Sequence, residues 1–150
     1  MRKYIIALFL LLCGARALAD DKITGHWTTI DDETNTPKSV VRIYEYQGKY
    51  FGRVVHLFAN GDAKAKLPDS PPIQGLDIIW DLEKSGDKYK GGEILDPKKG
   101  KVYGCEIWRE GDDLIVRGKI AFLGRNQTWH RNSEFQGIDV ILIPKKPRLK

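Results

Sequence analysis

The chain has 150 residues, with 25 Lys or Arg against 20 Asp or Glu and a formal net charge of +5. Arg2, Lys3 and Arg16 fall in an acid-free stretch of 19 residues, and Lys145, Lys146, Arg148 and Lys150 fall in the last six, so the body between is slightly acidic. Its charges alternate in sign, which argues against nucleic-acid binding, and its length suits one domain with a single core.

Taken from the N-terminus, Met1-Arg2-Lys3 is a positive start, Tyr4 to Cys13 an apolar run, and Ala17-Leu18-Ala19 a small-x-small site before Asp20-Asp21. This pattern predicts a signal peptide over residues 1–19, cleaved after Ala19. An apolar run of about 10 residues cannot span roughly 30 Å of hydrocarbon, so no transmembrane segment is expected in the mature chain. Leu12 stands where a lipidated Cys13 would be preceded by a small residue, which favours soluble export over a lipid anchor. The mature protein is then periplasmic or secreted and keeps Cys105 as its one cysteine. Cys105 lies between Tyr103 and Ile107 on one face of a strand-like run and reads as a small buried hydrophobe.

From Asp20 onward the dominant period is two. Ile78, Trp80 and Leu82 alternate with Asp77, Ile79, Asp81 and Glu83, and Leu114, Val116, Gly118 and Ile120 alternate with Ile115, Arg117 and Lys119. Similar runs cover 24–30, 38–46, 49–58, 87–95, 101–109, 126–131 and 138–143. Gln47-Gly48, Ser85-Gly86-Asp87, Asp96-Pro97-Lys98-Lys99-Gly100 and Glu110-Gly111-Asp112-Asp113 supply turns between them. The expected fold is all-β, a single antiparallel up-and-down barrel of about eight or nine strands, because closure removes the exposed edges of a meander. The barrel domain is assigned to 20–144 and a basic, disordered tail to 145–150. Residues 59–75, with Pro68, Pro71 and Pro72, exceed what a hairpin needs and form either a binding loop or a solvated insertion.

Residues suited to catalysis are sparse. His26, His56 and His130 have no metal-ligand spacing; His26 and His130 would approach each other if the adjacent Trp27 and Trp129 meet, but surface or hydrogen-bonded histidines are the simpler reading. Asp31-Asp32-Glu33 lacks calcium-loop spacing and has ordinary turn composition. No nucleophile elbow or phosphate loop is present, and no base is indicated near Cys105. No enzymatic activity, cofactor or metal is therefore expected. Gly25-His26-Trp27 opens the first strand and Trp129-His130-Arg131 lies in a late one. If these strands are neighbours, Arg131 over Trp27 would seal one end by cation–π contact. This resembles the Gly-x-Trp plus late Arg signature of the calycin superfamily, which includes lipocalins, and it gives Gly25, Trp27 and Arg131 a structural role in barrel closure.

A more specific resemblance spans Gly25 to Arg131. Its motifs are Gly25-x-Trp27, Thr29-Ile30-Asp31-Asp32, Lys38-Ser39-x-Val41-x-Ile43-Tyr44, Gly75-Leu76, Gly91-Gly92-x-Ile94-Leu95-Asp96-Pro97-x-x-Gly100-Lys101-x-Tyr103-x-Cys105, Leu114-x-Val116-Arg117-Gly118 and Leu123-Gly124-Arg125-x-Gln127-x-Trp129-x-Arg131. In this order they resemble the secreted bacterial family named domain of unknown function 2147. The resemblance implies a small exported β-barrel, mostly of the Gram-negative periplasm, with no established activity. Three features depart from that pattern: the 59–75 connection has no cysteine, Asn35 replaces a usual turn glycine, and the chain continues past Arg131 with an apolar run at 138–143, read as an added strand or a docking segment.

Two functional readings follow. In the first, Tyr44, Trp80, Tyr103 and Trp129 line an interior that holds a small apolar or amphipathic ligand, with Arg117 or Arg125 at the mouth. Fixed charges such as Arg117, Arg125 and Lys38 need either an anionic ligand or an acid partner among Asp31, Asp32 and Asp96. In the second, the barrel is filled and the protein binds an envelope partner through the 59–75 loop, the added strand or the tail. Interior volume separates the two.

Overall fold

The computed structural model describes residues 22–120, 123–137 and 140–150. The expected signal peptide lies outside the described residues. Eight antiparallel strands close into a barrel in sequence order: β1 (Gly25–Ile30), β2 (Pro37–Tyr46), β3 (Lys49–Leu57), β4 (Asp77–Ser85), β5 (Lys88–Asp96), β6 (Lys101–Glu110), β7 (Asp113–Ile120) and β8 (Leu123–Arg131). The period-two runs thus form the all-β, up-and-down barrel that they predict, with eight strands and not nine.

Turn chemistry fixes the hairpins. Gln47 and Gly48 both take positive φ, 49° and 78°, the backbone of a two-residue turn whose twist matches its strands. Asn35 sits at φ 54°, so it fills the left-handed position that a glycine would otherwise take. Gly100 has φ 67°, and a Cβ there would lie 2.1 Å from the Lys66 carbonyl oxygen, so this turn needs glycine on both counts.

The two ends of the barrel differ. One end holds the turns at 47–48, 86–87 and 111–112 and is filled with side chains. Trp27, Ile79, Leu82, Ile107 and Leu114 are fully buried there, and Ile23 covers them while accepting a hydrogen bond from Trp27 Nε1 at 2.8 Å. β1 meets β8 through Trp27↔Arg131 and Thr28↔His130 alone, whereas β7 pairs with β8 along its whole length. At that short seam the Arg131 guanidinium lies 4.4 Å from the Trp27 ring centroid, with Arg109 at 5.1 Å. The other end carries the loops 31–36, 58–76 and 96–100 and the β7–β8 connection.

Two segments depart from expectation. Of the two readings of the 59–75 connection, the solvated insertion fails: the segment folds back through a Lys64↔Pro72 bridge, buries Ala65, Leu67 and Ile73, and is tied to the β5–β6 turn by Lys66 N–H donating to Pro97 O. The run at 138–143 adds no strand within its described part, and the 145–150 tail is placed against the barrel instead of disordered. Residues 140–150 lie as a strap across the outside of β2 to β5. Arg42 donates to Val140 O, Arg53 to Ile143 O, and the Lys145 N–H to Asp77 Oδ2, while the Lys146 ammonium lies over the Trp80 ring. The apolar run at 140–143 reads as a strand, but the Val140 and Ile143 carbonyls accept from arginine side chains in place of a neighbouring strand.

Candidate functional site

The loop-bearing end opens into a cavity of about 850 Å3. Val54, Ile78, Ile94, Tyr103, Val116 and Trp129 supply much of its wall, with Ala63 and Ile73 of the long connection closing one side. Gly118 widens it, because this position adds no side chain between Ile94 and Tyr103. Trp129 is 2% exposed and its Nε1 donates to Gln127 Oε1 at 3.3 Å, which leaves its ring as apolar wall. A buried hydroxyl pair, Thr29 and Ser39 at 2.7 Å, is the polar spot on the β1–β2 side. The Tyr103 hydroxyl has no hydrogen-bond partner among the described residues and is available to a ligand.

Charge gathers at the rim. Asp31 Oδ1 accepts from the Glu33 and Thr34 amides at 3.0 Å each, and these bonds hold its carboxyl below the usual range. Asp96 Oδ1 caps the next turn in the same way, accepting from the Lys98 and Lys99 amides at 3.0 and 3.2 Å. Asp32 Oδ2 accepts from Arg125 at 2.7 Å and from Gln127 Nε2 at 3.1 Å, a link across the β1–β8 side of the mouth where the strands no longer pair.

The structure thus brings Tyr103, Trp129 and Arg125 of the expected ligand residues to one cavity, and it gives Arg125 the acid partner that sequence offered as the alternative to a ligand. The other three lie elsewhere. Tyr44 is on the strap side, its hydroxyl donating to Asp77 at 3.0 Å and Arg53 over its ring. Trp80 donates to Glu93 beneath Lys146. Arg117 lies over Gly124 on the side of β7 opposite Val116 and Gly118. Tyr44 points outward by plain alternation, since Ser39, Val41 and Ile43 keep the inward face of β2, whereas Trp80 is displaced from the face of Leu82 by the β3–β4 register shift at Tyr50/Gly52, where Asp81 takes φ 60°. Arg117 is excluded by plain alternation.

Sequence reasoning missed Gln127, the Thr29–Ser39 pair and Gly118 as parts of the cavity. Gly118 was within reach, because Leu114, Val116, Gly118 and Ile120 form one face by period two. His26 and His130 do not form a pair: His26 packs on Phe135 with ring centroids 5.1 Å apart, and His130 Nδ1 is 2.8 Å from Asp113.

The family model described as "Uncharacterized protein conserved in bacteria (DUF2147)" matches residues 25–131. The chain belongs to this family. The DUF2147 span begins at Gly25 and ends at Arg131, the two sides of the closing seam, so it covers all eight strands and leaves out the strap. No curated protein matches the chain. Among solved structures, a Helicobacter pylori protein described as belonging to the lipocalin family is similar, with a TM-score of 0.64 and 23% identity over 75% of this chain and 84% of that one. The likeness is one of fold, and it places this DUF2147 barrel among lipocalin-like architectures.

Proposed function

We propose that this protein is an exported, non-catalytic binding module that carries a small apolar or amphipathic molecule in the barrel. The observation that carries this reading is the cavity of about 850 Å3, which has an apolar wall, a charged rim and one open end. That volume falls in the range of small-ligand sites, and a barrel of eight strands has room for one such ligand. The filled-core reading requires the opposite of this end. A non-catalytic role is supported by Cys105, whose thiol is buried and pushed up by that burial, away from the thiolate a nucleophile needs. Export to the periplasm is supported by the leader-like pattern of residues 1–19.

Native mass spectrometry of protein purified from the periplasm tests the reading. The expected result is a stoichiometric small-molecule adduct released on denaturation. Gly118→Leu sharpens the test, since a Cβ there meets Ile94 and Tyr103 atoms at an ordinary 3.8 Å and the rest of the side chain enters the cavity. It is expected to abolish the adduct without lowering the melting temperature. A bare polypeptide mass that persists after incubation with total envelope lipid extract overturns the proposal.

A further inference from the structure

The rim is asymmetric in how its charges are satisfied. Its carboxylates are Asp31, Asp32 and Asp96, and each accepts hydrogen bonds from neighbouring donors. Its cations are Lys38, Lys98, Lys99 and Arg125, and of these Arg125 is paired. Lys38, Lys98 and Lys99 make no ion pair and no side-chain hydrogen bond among the described residues, and the Lys38 charge also helps to hold the Asp31 carboxyl down. Each ammonium therefore keeps its donors free at the lip of an apolar chamber, where the low-dielectric wall focuses their field.

Resting on the carrier reading above, we propose that the ligand is an anionic single-chain amphiphile. Its carboxylate or phosphate head sits among Lys38, Lys98 and Lys99, and its chain runs inward against Trp129, Ile94 and Val116. A cationic head would meet these ammonium groups, while of the rim carboxylates Asp32 is paired with Arg125 and the acceptor oxygens of Asp31 and Asp96 are turned to their own turn amides. A neutral head would leave the lysines to water and gain nothing from them.

The test holds the chain constant and varies the head. Hexadecanoate, hexadecyl phosphate, hexadecanol and hexadecyltrimethylammonium are titrated below their micelle concentrations into wild type and into the triple variant Lys38→Gln, Lys98→Gln, Lys99→Gln. Lys98 and Lys99 are exposed and hold Asp96 through backbone amides, so the substitutions leave the turn intact. Wild type is expected to bind the two anions roughly tenfold more tightly than hexadecanol, a preference that shrinks with added salt. The triple variant is expected to lose that preference and keep its affinity for hexadecanol. Which anion binds more tightly distinguishes a carboxylate from a phosphate head. Equal or tighter binding of hexadecanol or of the cation overturns the head-group proposal and leaves the carrier reading standing. Failure of all four, together with a bare mass from the periplasm, removes the carrier reading itself.

Discussion

Glu106 is 6% exposed on β6 and is held by Lys119 and by Lys88, the latter at 3.2 Å. The hydrogen bond from Lys119 is the main cause that keeps its carboxyl below the ordinary value of 4.5; burial opposes it and Lys88 adds to it. Above pH 4.5 the carboxylate is ionised both folded and unfolded, and its contribution to stability is complete. Below that pH the unfolded chain takes up the proton first, so the contribution is lost as pH falls through the lower folded value. Glu106→Gln is expected to cost roughly 1 kcal/mol at neutral pH, with the gap to wild type closing in acid. Urea denaturation at pH 7 and at successive values below 4.5 measures both; a gap that stays constant across this range refutes the account.

Among the elements, the strap is the one with a measurable role of its own. Asp77 is 2% exposed and collects Arg53 at 2.8 Å, the Tyr44 hydroxyl at 3.0 Å and the Lys145 N–H at 2.7 Å, so one buried carboxylate joins β2, β3, β4 and the strap. Leu142 and Leu149 pack against the core beside it. Removing 140–150 takes Leu142 and Leu149 off the core and Lys146 off the Trp80 ring, and is expected to cost about 2 kcal/mol, a fall of roughly 5 °C or more in melting temperature. A thermal scan with a hydrophobic dye checks this, and dye binding at ambient temperature should rise. Ligand binding should persist, because the cavity lies on the other side of the sheet. The same element shows where sequence stops being legible. Alternation and turn residues were enough to find eight strands, since those depend on local chemistry. The strap was unreadable because its order comes from Arg42, Arg53, Asp77 and Glu93, which are remote in sequence. The cavity was half legible: Tyr103 and Trp129 follow parity, Tyr44 falls on the opposite face from Val41 and Ile43 once the inward face of β2 is known, and Trp80 sits beside a bulge that parity does not register.

For the whole molecule the critical place is the seam where Trp27 meets Arg131. Arg131→Ala removes the closer of the two cations on the Trp27 ring and is expected to cost about 1–2 kcal/mol. Equilibrium denaturation of this variant beside Arg109→Ala gives the share of each cation, and an Arg131→Ala variant as stable as wild type would show that the seam is held by backbone pairing alone. Trp27→Ala should be far more severe, at about 3–5 kcal/mol, since the ring is fully buried at the filled end.

The strand order has a kinetic consequence. From β1 to β8 every strand pairs with its sequence neighbour; six of the eight pairings close short loops and can form early, one hairpin at a time, and the β3–β4 pairing closes the longer 58–76 connection. The eighth joins residues near opposite ends of the domain and has little to reward it until the others are in place. Its short run of pairs makes it the step that completes the cylinder and the first to open. Substitutions there should therefore accelerate unfolding and leave the refolding limb of a chevron nearly unchanged.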